Sequence, residues 1–182
     1  MNFCLWITGL PGSGKSTIAG ELERMFVEAG LHFVTLSLDQ IRKVLTPEPK
    51  YTDQERELVY RSLVLMAHLM MEHSSKNVII DATGNLRTFR NLARQLIPEF
   101  AEIYAKCPLE RCKARETSRR GQPVQKDLYQ RASEGRLKGK LPGISAPYEE
   151  PEAPEVLVAS DTMSPHESAR RIMAYIRSRW TG

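Results

Sequence analysis

The sequence predicts an α/β fold in which a five-stranded, mainly parallel sheet carries helices on both faces. Two observations support this prediction. Five apolar runs of strand length recur along the 182 residues, and helical patterns separate them. Strand and helix alternate throughout, which is typical of parallel strands joined by crossover helices. With 41% hydrophobic residues, the chain is long enough for one domain with a buried core and short for two. We therefore expect residues 1–182 to form a single domain.

The N-terminal half contains five predicted elements. In chain order they are a strand at 3–8, a helix at 16–29, a strand at 32–37, a short helix at 40–45 and a long helix at 52–74. The first strand is almost entirely apolar, so we expect both of its faces to be buried. Gly30 closes the first helix, and Pro47 follows the end of the short one. Thr52 and Glu55 form a capping box, in which an N-cap hydroxyl is followed three residues later by a carboxylate.

The C-terminal half continues the alternation. In chain order we predict a strand at 77–81, a helix at 87–96, a strand at 100–106, helices at 109–117 and 127–135, a strand at 155–159 and a helix at 164–180. Residues 118–123 are polar and rich in helix breakers, which predicts a mobile loop. Residues 142–154 carry four prolines and are expected to be extended. Ser164 and Glu167 form a second capping box, with Pro165 at the first helical position.

Charge and cysteine content narrow the functional classes. The net charge of +4 suits an anionic ligand but is too small and diffuse to indicate nucleic acid. The basic residues concentrate in segment 111–140, which holds ten Lys or Arg against three acids; a solvated surface would explain that segment equally well. Three cysteines without zinc-site spacing indicate a reducing, cytoplasmic compartment. We predict neither a signal peptide nor a membrane span.

The segment GLPGSGKST, residues 9–17, matches the Walker A pattern in full. A predicted strand precedes it and a predicted amphipathic helix follows it, which is the context that this phosphate-binding loop (P-loop) requires. Glycines let the backbone curl so that its N–H groups point at phosphate oxygens, and the helix N-terminus adds partial positive charge. Lys15 is expected to reach the β- and γ-phosphates of ATP, and Ser16 to hold Mg²⁺. The predicted ATP contacts in this segment are Gly9, Gly12, Ser13, Gly14, Lys15, Ser16 and Thr17.

A P-loop alone is compatible with a motor, a GTPase or a small-molecule kinase. The chain is short for most motors, and it lacks the Asn-Lys-x-Asp motif with which GTPases read their base. Asp39 follows the second strand, where a carboxylate can accept the proton of an acceptor hydroxyl or bind Mg²⁺ through water. Arg42, one turn later, can hold an anionic acceptor. Asp81 ends the third strand and is a further candidate for the metal's outer shell; both aspartates could instead be helix caps or turn residues.

Two further segments make the chain resemble the adenylylsulfate (APS) kinase family. The run CPLERCKAR at 107–115 is similar to that family's PLE-x-C-x-x-R run, and GISAPYEEP at 143–151 is close to its GI-D-SPYE-x-P signature. The resemblance extends from about residue 5 to residue 158. It implies a P-loop kinase that transfers the γ-phosphate of ATP to the ribose 3′-hydroxyl of adenosine 5′-phosphosulfate (APS) in sulfate activation.

The resemblance also implies roles for individual residues. Asp39 and Arg42 match a metal-linked acid and a substrate clamp. Arg56 matches a second substrate contact, and Tyr51 stands where the family has an aromatic residue that stacks on the substrate adenine. Arg115 would lie over the adenine of ATP, a position for which a guanidinium is chemically suited. The segment 126–129 matches a K-G-LY pattern whose lysine, Lys126, lies near the transferring phosphates.

The sequence departs from the family pattern mainly on the acceptor side. Residues 37, 38 and 40 differ from the family's DGDN segment, and Val59 replaces an asparagine. Leu141 stands where the family has a second stacking aromatic residue. The segment DATGN at 81–85 instead resembles other small kinases, and the predicted mobile lid, about 116–126, is longer than in the family. These differences weaken the expected grip on the APS base, because stacking is worth roughly 1–3 kcal/mol per base.

The leading prediction is therefore an ATP-dependent kinase with APS as the first candidate acceptor and with ATP and Mg²⁺ as cofactors. One alternative keeps the reaction but changes the acceptor to another nucleotide-linked or sugar hydroxyl. The other is an ATP-binding regulatory module without turnover. The expected partner is a small anionic acceptor; nucleic acid and membrane are not expected, since few aromatic residues accompany the basic segment. The sequence does not decide between a monomer and a homodimer.

Overall fold

In the computed structural model, which describes residues 2–118, 128–137 and 139–180, five strands form a single sheet. The strands are β1 (Cys4–Thr8), β2 (Phe33–Ser37), β3 (Asn77–Asp81), β4 (Phe100–Lys106) and β5 (Val156–Ala159). Their spatial order is β2-β3-β1-β4-β5, and every neighbouring pair is parallel. The predicted sheet is thus confirmed, and it is parallel throughout rather than mainly parallel.

The helices that connect these strands lie close to their predicted positions. They are α1 (Lys15–Glu28), α2 (Leu38–Leu45), α3 (Asp53–His73), α4 (Arg87–Leu96), α5 (Leu109–Thr117), α6 (Leu128–Ser133) and α7 (Pro165–Trp180). The main deviations are α2, which begins two residues early, directly after the last residue of β2, and α6, which ends two residues early and whose predicted first residue lies outside the described residues. No helix in the described residues is both long enough and apolar enough to cross a bilayer.

The two faces of the sheet are covered by different helices. On one face, α1 and α7 pack together over a cluster that includes Phe26, Ile79 and Ile172. On the other face, α3 and α4 cover a second cluster around Trp6 and Tyr60. The central strand β1 is completely buried because helices press on both of its faces, as its apolar composition predicts.

The two capping boxes differ in one respect that matters for the site. At the start of α7 both reciprocal bonds form between Ser164 and Glu167. At the start of α3 only the hydroxyl bond forms, from the Glu55 amide to Thr52 Oγ1 at 3.1 Å. The Glu55 carboxylate instead accepts from the amide of Lys50 at 2.7 Å, so it holds the segment that precedes the helix.

Candidate active site

The predicted phosphate loop lies at the carboxyl edge of the sheet, between β1 and α1. Gly14 is the N-cap of α1 and has a φ of 90°, a left-handed conformation that glycine adopts without steric penalty. Gly12 has a φ of 78°, and a Cβ atom there would lie 2.5 Å from the carbonyl oxygen of Cys112 in α5. Gly14 is therefore required for its backbone conformation. Gly12 is required for its conformation and also because a side chain would clash with Cys112.

A cavity of about 320 Å³ lies directly over this loop. Five of the predicted phosphate contacts line its wall: Gly12, Gly14, Lys15, Ser16 and Thr17. Gly9 and Ser13 lie behind that wall and shape the loop. The Ser13 carbonyl oxygen accepts a hydrogen bond from the Ser160 hydroxyl at 2.6 Å. The Ser13 amide donates to the carbonyl oxygen of Leu10 at 3.0 Å. A Cβ atom at Gly9 would lie 2.6 Å from the carbonyl oxygen of Ala105 in β4.

The cavity is electrostatically suited to an anion. Lys15 lines it, is only 8% exposed, and donates from Nζ to the carbonyl oxygen of Leu10 at 2.9 Å, within the loop itself. The N-terminus of α1 begins at the same residue and contributes the partial positive charge of its unpaired amides. Arg115 adds a guanidinium to the wall. This combination of backbone amides and cationic side chains is suited to phosphate oxygens.

Oxygen-bearing side chains that could take part in holding a metal ion also line this cavity, among them Asp39, Asp81 and Ser16. Asp39 lies in the first turn of α2, Asp81 is the last residue of β3, and Ser16 lies in the first turn of α1. The parallel register brings these residues together. Asp81 pairs with Ser37 of β2 and with Ile7 of β1, so the ends of the three strands lie side by side. Among the described residues, no group of three or more His, Cys, Asp or Glu side chains could hold a metal alone. A few oxygen ligands that leave room for phosphate and water are what Mg²⁺ prefers.

A smaller cavity of about 270 Å³ adjoins the phosphate cavity on the side of α7. Gly14, Thr17 and Arg115 belong to the walls of both cavities. The remaining lining is largely apolar and includes Ile18 and Met163. Arg115 therefore stands between a polar compartment and an apolar one, an arrangement that fits a nucleotide with its phosphates on one side and its base on the other.

The ends of the predicted lid are attached to this nucleotide site. The Glu116 carboxylate is buried and accepts from the Leu128 amide at 3.0 Å, and both residues line the phosphate cavity. The Tyr129 hydroxyl donates to the carbonyl oxygen of Pro11 in the phosphate loop at 2.7 Å. The predicted lid at 116–126 lies outside the described residues except for its first three positions, and so does Lys126.

A larger cavity of about 830 Å³ continues from the phosphate cavity on the side of α2 and α3. All four predicted substrate contacts line it: Asp39, Arg42, Tyr51 and Arg56. Leu38, Asp39, Thr83 and Leu128 belong to both cavities, so they form the junction between them. Asp39 is the ionisable side chain in this shared set, which places a carboxylate where the two compartments meet.

Tyr51 is held in an uncommon backbone conformation at the rim of this large cavity. Its φ of 56° makes it the one described non-glycine residue with a positive φ. Its amide donates to Glu55 Oε1 at 3.3 Å, and the Arg42 guanidinium lies 6.0 Å from the centre of its ring. A Cβ atom at Gly139 would lie 2.4 Å from Tyr51 Cβ. A left-handed tyrosine costs energy, and such strain is concentrated at functional sites.

Additional basic side chains line the large cavity, and the sequence interpretation assigned them no individual role. They are Arg131, Arg136 and Lys140. Arg56 Nη2 donates to the backbone carbonyl of Lys140 at 2.9 Å, which connects α3 to the segment after α6. Lys140 Nζ also lies 2.9 Å from Asp53, and this hydrogen bond lowers the pKa of the exposed Asp53 carboxyl. The one available signal was the basic segment 111–140, since these three residues belong to it.

Leu141, which stands where an aromatic residue was expected, also lines the large cavity but is 95% buried. It packs in a small cluster with Cys107, Cys112 and Tyr129. Burial and the neighbouring Cys107 raise the pKa of the Cys112 thiol to about 12, so that thiol is protonated at neutral pH and acts as a packing group. Leu141 is therefore part of the apolar support beneath the site as well as of its wall.

Comparison with known proteins agrees with this geometry. The family model described as "Adenylylsulphate kinase" matches residues 1–159. An adenylyl-sulfate kinase of Thermodesulfovibrio yellowstonii is 35% identical over 180 residues, which cover 98% of this chain and 85% of that protein. A probable adenylyl-sulfate kinase of Archaeoglobus fulgidus is 35% identical over 161 residues, covering 88% and 97%.

Among solved structures, the APS kinase of Mycobacterium tuberculosis in complex with AMPPNP and APS superposes with a TM-score of 0.82. Its sequence identity to this chain is 26%, and the superposition covers 97% of this chain and 98% of that one. The superposition therefore extends over nearly the whole of both chains.

Proposed function

The chain belongs to the adenylylsulfate kinase family, and we propose that it transfers the γ-phosphate of ATP to the 3′-hydroxyl of adenosine 5′-phosphosulfate. The observation that carries this proposal is the junction of two cavities at Asp39. One cavity has a complete phosphate loop, and the other is lined by five cationic side chains and by Tyr51 and Tyr60. This is the arrangement that phosphoryl transfer between two anionic nucleotides requires.

On the nucleotide side, binding is attributed to the loop backbone and to Arg115. The amides at the start of α1 and the Lys15 ammonium would hold the β- and γ-phosphates. Arg115 would lie against the adenine, with the apolar cavity beside Ile18 and Met163 receiving the ring. Lys126 is assigned to the transferring phosphates by resemblance alone, since it lies outside the described residues.

The transfer itself is attributed to positioning and charge. The acceptor oxygen forms a bond to the γ-phosphorus while the bond from that phosphorus to the β,γ-bridging oxygen breaks, and ADP leaves. Asp39 accepts the proton of the acceptor hydroxyl, as its place at the junction allows. Lys15 neutralises the negative charge that develops on the transferring group.

Mg²⁺ fits the residues that face the phosphate cavity. Ser16 would hold it together with phosphate oxygens, and Asp39 and Asp81 would contact it directly or through its water ligands. When bound, the ion neutralises phosphate charge and orients the triphosphate. The oxygen donor set, with no sulfur or imidazole ligand among these three residues, is appropriate for a hard cation.

On the acceptor side, the proposal assigns recognition to charge and stacking. Arg42 and Arg56 would hold the phosphosulfate, and the ring of Tyr51 would stack on the adenine. The additional cations Arg131 and Arg136 raise the positive potential of the same cavity, which favours an anionic acceptor.

The test is the reaction itself, measured as ADP release and as formation of 3′-phosphorylated APS. ATP consumption would be compared for APS, for other nucleotide conjugates and for sugars, with the same protein and with Mg²⁺ present. Turnover with APS well above the others is the expected result. Turnover only with a different hydroxyl compound would retain the kinase and reject APS, and binding of ATP with no turnover on any acceptor would support the regulatory alternative.

Domain organisation, quaternary structure and location are also proposed. We assign residues 1–182 to one kinase domain in the cytoplasm, where ATP is available and where the three buried thiols would stay reduced. Exposed leucines at 58, 65 and 69 share one face of α3, because they are spaced by seven and four residues. That face supports a homodimer, which light scattering after gel filtration would detect and which Leu65→Glu should dissociate.

A further inference from the structure

The turn that follows β3 contains a buried polar atom to which the mechanism above gives no role. Asn85 is 2% exposed and lies on the wall of the large acceptor cavity. Among the described residues, four buried side-chain oxygens lack a hydrogen-bond partner, and Asn85 Oδ1 is the one whose residue lines this cavity. Burying such a group without a partner costs roughly 1–3 kcal/mol, so its retention needs an explanation.

Three hydrogen bonds hold the backbone of this turn. The Gly84 amide donates to the Tyr60 hydroxyl at 2.9 Å, and the Gly84 carbonyl accepts from Arg90. The Asn85 carbonyl accepts from the Glu149 amide at 2.8 Å, within the 143–151 signature segment. A rigid backbone leaves Asn85 little freedom to move its amide toward another protein partner.

The orientation of the Asn85 amide is set by its neighbour. Asn85 Nδ2 donates to the carbonyl oxygen of Pro147 at 3.1 Å. A carbonyl oxygen cannot donate, so the group that faces Pro147 must be the NH₂, and the remaining Oδ1 must be an acceptor. The unmet hydrogen-bonding capacity of this wall residue is therefore that of an acceptor, which pairs only with a donor.

The location of Asn85 indicates which part of the acceptor it would meet. Thr83 belongs to the junction between the phosphate and acceptor cavities, whereas Asn85, two residues further along, lines the acceptor cavity alone. Tyr60, which anchors the turn, also lines only the acceptor cavity. A group on the acceptor that meets Asn85 is thus separate from the hydroxyl that receives the phosphoryl group.

We propose that Asn85 Oδ1 accepts a hydrogen bond from a donor of the bound acceptor other than the reacting hydroxyl, and that Asn85 is thereby a specificity-determining residue. This inference rests on the proposed function, with APS as the acceptor. APS offers two such donors, the exocyclic amine of its adenine and the ribose 2′-hydroxyl. A site that buries an acceptor atom discriminates against an analogue without the matching donor, because the atom is then left unpaired.

The test combines two substrate analogues with substitutions at Asn85. The value of kcat/KM would be measured for APS, for its deaminated hypoxanthine analogue and for its 2′-deoxy analogue. In the parent protein, one analogue should be roughly three- to tenfold poorer than APS, and which one it is identifies the donor. In Asn85→Ala, APS and that analogue should be used equally well. Asn85→Ser, which is also too short to reach the same donor, provides a second variant if Asn85→Ala does not fold.

Tyr148→Phe is the matched control. It removes the 3.1 Å hydrogen bond between the Tyr148 hydroxyl and Thr8 in the same signature segment, while the Asn85 amide is unchanged. Discrimination between APS and the analogue should persist in this variant. Equal use of all three substrates by the parent protein would overturn the inference, and so would unchanged discrimination in the Asn85 variants. A parent protein that does not phosphorylate APS at all would instead overturn the proposed function.

Discussion

The nucleotide side and the acceptor side of this site are built in different ways. The nucleotide side rests largely on one uninterrupted segment, in which six residues join β1 to α1 and place Lys15 and Ser16 at the head of the helix. The acceptor side is assembled from α2, α3, the turn after β3 and the segment after α6, which are separated by tens of residues. A phosphate site can be made by local backbone geometry, whereas a pocket for a whole nucleotide requires distant segments to pack correctly.

This difference explains why the departures from the family pattern collect on one side. The phosphate loop is constrained by backbone conformation, as at Gly14, and by close contacts, as between Gly12 and Cys112. The acceptor wall is made mainly of side chains from separate segments, so a residue there can change without altering the backbone of the phosphate loop. Specificity on the acceptor side is therefore open to change without loss of the transfer chemistry.

The largest effect is expected at the lysine of the phosphate loop. Lys15→Ala removes the ammonium that neutralises the transferring phosphoryl group and should lower kcat by roughly 10³-fold while the protein remains folded. Steady-state ADP release together with circular dichroism would measure this. Lys113→Ala is the control, because the Lys113 ammonium forms a surface ion pair with Glu110, 2.7 Å away, and does not line the phosphate cavity. A kcat for Lys15→Ala equal to that of the parent protein would contradict the kinase mechanism.

The junction carboxylate should show the next largest effect. Asp39→Asn keeps the shape and removes the charge, so we expect kcat to fall roughly 10²-fold with little change in ATP affinity. Asp81→Asn is the matched comparison, since Asp81 lines the phosphate cavity but not the acceptor cavity. Asp81→Asn should raise the Mg²⁺ concentration needed for half-maximal rate and leave kcat at saturating Mg²⁺ unchanged. If Asp39→Asn weakens ATP binding but spares kcat at saturation, Asp39 belongs to the nucleotide side alone.

The acceptor side can be disturbed by itself through a glycine. In Gly139→Ala the new Cβ would lie 2.4 Å from Tyr51 Cβ, so Tyr51 must shift, and KM for APS should rise roughly tenfold or more with KM for ATP little changed. Gly135→Ala is the control, because Gly135 has a similar positive φ of 66° but meets nothing within 4 Å. Equal kinetic effects of the two substitutions would mean that backbone strain, rather than the contact with Tyr51, determines acceptor binding.

A substitution at Arg115 should disturb the nucleotide side and leave the acceptor side intact. Arg115→Ala removes the guanidinium from the boundary between the phosphate cavity and its apolar neighbour, and should raise KM for ATP about tenfold while KM for APS changes little. The exposed Arg111 is on the same helix, so Arg111→Ala controls for the loss of a positive charge. A rise in KM for APS that matches the rise for ATP would place Arg115 on both sides.

The smallest predicted effect concerns the aromatic ring of the acceptor side. Tyr51→Leu removes a stacking surface and should raise KM for APS roughly two- to tenfold, whereas Tyr51→Phe keeps the ring and should leave KM within about twofold. Initial rates at saturating ATP would measure both. A Tyr51→Phe enzyme as impaired as Tyr51→Leu would show that the hydroxyl, and not the ring, contacts the acceptor.

Much of this molecule follows from short stretches of its sequence. The strand bounds 77–81 and 100–106 and the helix bounds 87–96 and 109–117 agree with the structure to the residue. Thr52 and Ser164 cap their helices as predicted. The phosphate loop was found because φ preferences, caps and the strand–loop–helix context all act within about ten residues. The family resemblance then added Tyr51, Arg56 and Arg115, which the pattern alone would not have selected.

The tertiary structure decided the features that depend on partners distant in the chain. Glu55 has the sequence of a capping-box residue, yet its carboxylate supports Lys50 and Tyr51, because the folded segment before α3 brings their amides within reach. Asn85 gains its role only because Pro147, more than sixty residues later, occupies its NH₂ group. The sequence thus determines where a backbone turns and which faces are apolar. The packing of α3 and the signature segment determines which side chains meet, because a contact across the fold leaves no periodic trace along the chain.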